Sequence, residues 1–158
     1  MHSKCAALCL LLVGCGAPAP ATDGTPVGLL LPYTGKDGSA GSNFERGALM
    51  AIRAVNDSGG VYHKRLRVVY ADTRSTVEDG LDGADSLLQQ GVTAIIGPEN
   101  DDLAQRLAPL LASRGVPLIT PSSSAPPIAE ASETSLWFRL APSAIDLGTS
   151  LARRIKAD

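Results

Sequence analysis

Short apolar runs alternate with longer segments of helical period along most of the chain, and this alternation is what most limits its possible folds. The runs, which predict five strands, are 27–31, 66–70, 93–96, 117–119 and 137–140. Between them, apolar residues recur every three or four positions, as in amphipathic helices. Strands that are apolar along their whole length are typical of a parallel sheet covered by helices on both faces. The sequence therefore predicts an α/β fold.

Local signals predict where the helices begin. Ser42 followed by Glu45 predicts a capping box at the start of the first helix, and Ser75 predicts the start of the second. A third helix is predicted over 103–114. Because proline lacks a backbone N–H and clashes with the preceding turn, we expect Pro109 to kink or divide that third helix.

The N-terminal residues have the pattern of a bacterial lipoprotein signal. A basic region precedes the apolar stretch 6–13, and Leu12-Val13-Gly14-Cys15 has the form of a lipobox. The stretch is far shorter than the roughly 20 residues that span a bilayer. A plain secretory signal cut a few residues later is the alternative. We expect residues 1–14 to be removed and Cys15 to carry lipid, which would hold the protein at the periplasmic or cell-envelope face of a membrane.

The rest of the composition excludes several classes of site. After cleavage the remaining cysteine is Cys15, whose thiol would carry the lipid, so neither a disulfide nor a thiolate metal site is expected. The formal net charge is −2 and there is no basic block, so nucleic acid is not an expected partner. The expected organisation is a signal peptide at 1–14, a tether rich in Ala, Pro, Thr and Gly at 15–25, an α/β lobe at 26–142 and a helix at 143–158.

Four polar loops follow the predicted strands. Ligands of open α/β sheets bind beyond the carboxyl ends of the strands, which places the candidate loops at 32–41, 72–75, 97–102 and 120–127. The hydroxyls of Ser122-Ser123-Ser124 could bind a small polar ligand or, equally, their own backbone. Glu99, Asp101 and Asp102 could contact an ammonium group or a hard cation, but acids at this position more often cap a helix and complement its dipole.

Enzyme motifs are missing from these loops. The spacing of Gly35, Gly38 and Gly41 is not that of a dinucleotide fingerprint, and no P-loop motif occurs. Ser39 misses the spacing of a nucleophile elbow, and His63 is predicted at the opposite edge of the sheet, too far away to serve as its base. These spacings argue against a dinucleotide-binding enzyme, a P-loop enzyme and a Ser-His hydrolase, and no catalytic residue, cofactor or metal site is predicted.

Five short motifs occur in a specific order across residues 27–148. They lie at 28–35, 46–60, 95–98, 115–121 and 138–143. Their order and spacing resemble those of the branched-chain amino acid (Leu/Ile/Val-binding) family of type I periplasmic solute-binding proteins of ABC transporters, in lipoprotein form. The resemblance implies the first lobe of the type I periplasmic binding protein fold. It also implies that this fold is incomplete, because helix 143–158 would lead towards a second lobe that is not in the sequence.

The resemblance implies a binding protein and not an enzyme. It implies an extracytoplasmic substrate-binding lipoprotein, or a lobe of one, which captures an amino acid or similar small polar solute for an ABC permease. The candidate ligand-binding residues are Asp101, Ser122, Ser123, Ser124, Tyr33 and Thr34. The family usually has Ser at the position of Asp101. An ionised Asp cannot donate to a carboxylate, so this position should favour a cationic or hydroxyl group, or cap the helix. The alternative is an envelope lipoprotein that uses the fold for protein interaction or sensing, as in proteins resembling peptidoglycan synthase activators.

Overall fold

Five parallel strands form one sheet in the computed structural model, which describes residues 24–124 and 136–157. The strands are β1 (Thr25–Leu31), β2 (Leu66–Asp72), β3 (Ile95–Ile96), β4 (Leu118–Thr120) and β5 (Trp137–Arg139), in the spatial order β2-β1-β3-β4-β5. The helices are α1 (Gly38–Asp57), α2 (Val77–Gln89), α3 (Asp101–Ser113) and α4 (Ala144–Ala157). The predicted α/β class, a parallel sheet flanked by helices, is confirmed.

The central strand β1 is buried on both faces. Leu29, Leu30 and Leu31 have no solvent exposure, although neighbouring side chains of a strand point to opposite faces of the sheet. Leu30 belongs to the main apolar cluster, to which α2 contributes Leu87 and α3 contributes residues such as Leu107. Helix α1 contacts β1 and β2 and does not belong to that cluster, which indicates that it covers the other face. Burial on both sides explains why β1 is apolar along its length.

Helix α1 begins at Gly38, four residues before the predicted capping box, so that prediction is wrong. Ser42 lies inside the helix, and its hydroxyl donates to the Gly38 carbonyl at 3.3 Å. The earlier start depends on a close approach between the first helical turn and the loop after β1. A Cβ at Gly41 would lie 2.0 Å from the carbonyl oxygen of Pro32. Only glycine therefore fits at this contact.

The other helix starts also differ slightly from prediction. Thr76, not Ser75, caps α2, because its hydroxyl accepts from the Asp79 N–H at 3.1 Å. Asn100 caps α3, whose continuity shows that the predicted division at Pro109 is wrong. Pro109 lies on the exposed face of the helix, where water can bond the carbonyl that the missing N–H leaves without a partner.

The two ends of the described chain differ in how they are held. Thr25 already pairs with β2, so the folded part begins one residue before the predicted boundary, and the expected signal peptide and Cys15 lie outside the described residues. The predicted terminal helix is present as α4, in which no residue is buried. Over the described ranges, no helix combines the length and the apolar character needed to cross a bilayer.

Candidate functional site

The loops that follow β1, β2, β3 and β4 meet at one edge of the sheet. The strand pairings bring this about, because Leu31 lies beside Asp72 and Ile96 lies beside both Leu29 and Ile119. All pairs are parallel, so the carboxyl ends of the four strands point the same way. The predicted collection of polar loops at one edge is therefore present as far as the loops are described, which for the loop after β4 is up to Ser124.

Asp72 joins the loop after β1 to the loop after β2. Its Oδ1 accepts the backbone N–H groups of Tyr33, Thr34 and Arg74 at 2.9, 3.2 and 2.8 Å. Its Oδ2 accepts the Thr34 hydroxyl at 2.7 Å. Partial burial raises the pKa of Asp72, but the hydrogen bonds from Thr34, Arg74 and Tyr33 outweigh it and hold the pKa below its usual range. The carboxylate thus fixes the backbone that carries two predicted ligand-binding residues.

Ser75 strengthens the same junction. Its hydroxyl donates to the Thr34 carbonyl and accepts the Asp37 N–H, both at 3.1 Å. The two loops are in such close contact that a Cβ at Gly35, whose φ is +85°, would lie 2.5 Å from the Arg74 carbonyl oxygen. The hydroxyl of Thr34 is already bonded to Asp72. Thr34 therefore stabilises the loop and does not offer a free donor group.

Tyr33 lies beside the sheet with its ring against Tyr70 of β2. The ring centroids are 5.9 Å apart in an edge-to-face arrangement. The buried Tyr33 hydroxyl has no hydrogen-bond partner within the described residues. Burial, followed by the nearby Glu45 carboxylate, raises the pKa of Tyr33, so the phenol is neutral. The ring has a packing role, and the hydroxyl remains able to bond a polar group.

Asp101 and Ser124, predicted separately from two loops, are hydrogen-bonded to each other. The Asp101 carboxylate accepts the Ser124 N–H at 3.0 Å and the Ser124 hydroxyl at 3.2 Å. The carbonyl of Ser124 accepts the N–H of Ala144, the first residue of α4, at 2.9 Å. Asp101 does not cap α3, because the side chain of Asn100 accepts the Leu103 N–H at 2.9 Å. The expectation that Asp101 caps the helix is therefore wrong, and the expectation that it favours a cationic or hydroxyl group of a ligand stays a prediction.

The other two serines differ in accessibility. Ser122 is exposed, and its hydroxyl donates to the Glu99 carbonyl at 3.3 Å. Ser123 is fully buried, and its hydroxyl has no partner in the part of the chain that the structure describes. Glu99 is half-buried with one carboxyl oxygen also unpartnered there. Burial raises the pKa of Glu99, as does the nearby Asp37, whereas Lys36 opposes the rise.

Sequence reasoning missed Asp72 and Asn100 as residues that build this edge. Asp72 is the last residue of β2 and Asn100 follows β3 within a few residues, and a polar residue at the end of an apolar strand is the signal that could have identified them. Across residues 24–124 and 136–157, no three His, Cys, Asp or Glu side chains are grouped so that they could hold a metal ion. What the edge offers is hydrogen-bonding groups on loops that are held in place by other loops.

A family model described as periplasmic binding protein matches residues 24–158. The chain belongs to this family of periplasmic binding proteins. The predicted resemblance and the predicted fold, the first lobe of a type I periplasmic binding protein, are thereby confirmed at the level of the family and its solved structures.

Among curated relatives, the Leu/Ile/Val-binding protein BraC3 of Rhizobium johnstonii is 28% identical over 110 residues, which are 70% of this chain and 30% of BraC3. An ABC transporter substrate-binding protein from Desulfitobacterium hafniense, solved in complex with Leu, is 26% identical with a TM-score of 0.71, over 83% of this chain and 38% of that one. LivJ of Streptococcus pneumoniae, a branched-chain amino acid transporter substrate-binding protein solved with isoleucine, has the same fold, at 23% identity and a TM-score of 0.66 over 76% and 34% of the two chains. The chain spans about 30% of the length of the curated relatives it matches.

Proposed function

We propose that the chain is an extracytoplasmic substrate-binding protein, or a lobe of one, that captures an amino acid or a similar small polar solute for an ABC permease. The observation that carries the proposal is the convergence of four polar loops at the carboxyl edge of the sheet. This edge is where open α/β sheets bind ligands. Membership of the periplasmic binding protein family supports a binding role over a catalytic one.

The loops support this role because hydrogen bonds between them hold their backbones in place. Asp72 holds the loop that carries Tyr33 and Thr34, and Asp101 holds the loop that carries Ser122, Ser123 and Ser124. A site that is preorganised loses less conformational entropy when it binds. We assign Asp101 and Ser124 to the centre of the site, with Ser122, Ser123, Tyr33 and Thr34 around it. A single open edge buries less of a ligand than a closed cleft, so we expect weak binding by this lobe alone.

A thermal-shift series with the purified 158-residue chain tests the binding role, using the twenty amino acids and their decarboxylated amines as probes. Ligand that binds only the folded state adds about 2.7 kcal/mol of stability at a hundred times its Kd. We expect at least one probe to raise the melting temperature of the wild type. Ser124→Ala should reduce that shift, whereas Ser113→Ala, an exposed residue at the far end of α3, should not. No shift with any probe would contradict the proposal.

The membrane anchor is a separate part of the proposal. We propose that Cys15 carries the lipid and that the tether after it keeps the lobe at the periplasmic or cell-envelope face of a membrane, close to its permease. Labelling with a fatty-acid analogue in a bacterial host tests this. Label should be lost from Cys15→Ala and retained by Cys9→Ala, which lies in the apolar stretch before the cleavage site. Equal labelling of both variants would contradict the anchor.

A protein-interaction or sensor role is the second candidate, and one surface favours it. Phe138, Leu140, Leu151 and Ile155 of β5, α4 and the turn between them are 54 to 71% exposed. Leu151 and Ile155 lie four positions apart on α4 and therefore share one face of that helix, and an exposed apolar face is typical of an interaction surface. A photo-crosslinker at Leu151 that gave one defined protein adduct in cells, together with no thermal shift by any probe, would favour this second role over solute capture.

A further inference from the structure

We propose that Asp101 is a specificity-determining residue, whose carboxylate occupies the donors of Ser124 and so selects solutes that lack a carboxylate and present an ammonium, guanidinium or hydroxyl group. The inference rests on the proposed function, because it concerns the ligand class of the same edge. The proposed ligand class differs from the ligands of the two solved proteins described above, since leucine and isoleucine both carry an α-carboxylate.

The geometry of the contact is that of a bound carboxylate. One oxygen of Asp101 accepts the backbone N–H of Ser124 and the other accepts its hydroxyl, at 3.0 and 3.2 Å. A carboxylate on a solute would be bound well by the same pair of donors, next to the N-terminus of α3. In this chain the pair is satisfied internally. The Ser124 carbonyl is bonded to Ala144, so the loop cannot readily turn its donors elsewhere.

A solute carboxylate would therefore meet two obstacles. It would have to displace Asp101 from Ser124, which exchanges one charged acceptor for another without net gain. It would then lie within a few ångströms of the displaced side chain, and like charges at such distances repel. A cationic or hydroxyl group avoids both costs, because a carboxylate that accepts two hydrogen bonds still has free lone pairs on its oxygens.

The surrounding charges favour the same ligand class. Glu99 contributes a buried carboxyl oxygen without a partner in the described residues, which is an acceptor available to a donor group. Asp37 lies close enough to raise the pKa of Glu99 further. Lys36 lies beside Asp37 in the loop after β1, with its ammonium group 4.0 Å from the Asp37 carboxylate. It is largely exposed, so it offsets little of the negative charge. The charged side chains around Glu99 are therefore mostly acceptors, and the hydroxyls of Tyr33 and Ser123 are the uncharged donors without a partner in the described residues.

Matched pairs of probes test the inference by calorimetry with the full chain. L-arginine and agmatine differ only by the carboxylate, as do L-leucine and isopentylamine. We expect the wild type to bind one of the amines at least about tenfold more tightly than the matching amino acid, the size of one charge-assisted hydrogen bond. Asp101→Ser, whose shorter side chain frees the Ser124 donors, should lose or reverse the preference. Asp82→Asn removes one charge from an exposed position on α2 and should keep the preference.

Asp101→Asn provides a second variant that keeps the size of the side chain, in case the serine variant unfolds. Its neutral side chain should reduce the preference at least threefold. Wild-type binding of the amino acid as tightly as the amine, or a preference unchanged in both Asp101 variants, would overturn the inference while the proposed function stood. No binding of any probe by any variant would contradict both.

Discussion

Asp72→Asn should destabilise the chain measurably although it changes only one group on one side chain. Asparagine has nearly the same shape as aspartate, so the loops can keep their positions. Its single carbonyl oxygen can still accept the three backbone N–H groups that Oδ1 accepts from Tyr33, Thr34 and Arg74. What is lost is the negative charge and the acceptor that bonds the Thr34 hydroxyl.

The size of the effect follows from these four bonds. A hydrogen bond to a charged group contributes about 1.5–3 kcal/mol, and one between neutral groups about 0.5–1.5 kcal/mol. Three of the bonds to Asp72 share one oxygen, and the site is partly open to water. The total loss of stability is therefore smaller than the sum of the losses for the separate bonds. We expect the free energy of unfolding to fall by about 2 kcal/mol, which for a domain of this size lowers the melting temperature by roughly 8 °C.

The pH dependence separates the charge from other effects of the substitution. The pKa of Asp72 is lower in the folded chain than in the unfolded chain. The stabilisation is therefore fully present above the unfolded pKa of about 3.9, and it is lost as the pH falls through the lower folded pKa. The difference between wild type and Asp72→Asn should be constant near neutral pH and should shrink below about pH 4.

Urea unfolding followed by circular dichroism at pH 7 and pH 3 measures both quantities. Asp82→Asn removes the same charge from an exposed position on α2 and serves as the control for net charge. A difference that persisted unchanged at pH 3, or an equal loss in the control variant, would refute the reasoning.

Four further substitutions test the contacts that build the fold. Gly97→Ala should cost about 3 kcal/mol or more, because the added Cβ would lie 1.9 Å from the Leu30 carbonyl oxygen. Gly59→Ala, also at positive φ but with nothing within 4 Å, should cost about 1 kcal/mol by the same urea measurement. Asn100→Ala should cost about 1 kcal/mol through loss of the α3 cap, with the m-value unchanged. Asn56→Ala should cost about 2 kcal/mol, since the Asn56 side chain bonds both the N–H and the carbonyl of Leu66, the first residue of β2. An unchanged urea midpoint would show that water replaces these bonds.

The positions of the strands were predictable because a strand that is buried on both faces is apolar along its length. The apolar run at β1 predicts a buried strand, and Leu29, Leu30 and Leu31 all lie in the interior. The start of α1 was not predictable in the same way. It depends on Gly41 passing within van der Waals contact of Pro32, a contact between loop and helix that no local pattern encodes.

The candidate site shows the same division between local and non-local information. Asp101 and Ser124 were each identified from two signals, their place in loops after buried strands and the resemblance to the family. Their bond to each other depends on the register of β3 against β4, which brings together residues 23 positions apart. Asp72 was overlooked for a related reason. Its partners Tyr33 and Thr34 lie 39 and 38 positions away, so its role emerges only when β1 and β2 are paired.

The central place of β1 has a consequence for how the molecule assembles. β1 is the first of the described strands to be synthesised, and β2 pairs with one side of it while β3 pairs with the other. β4 then joins β3, and β5 joins β4. Each later strand of the described ranges meets an edge that already exists when it leaves the ribosome, and none of these five has to be inserted between two others. This part of the sheet can therefore grow in the direction of translation, with each added strand covering a free edge of an earlier one.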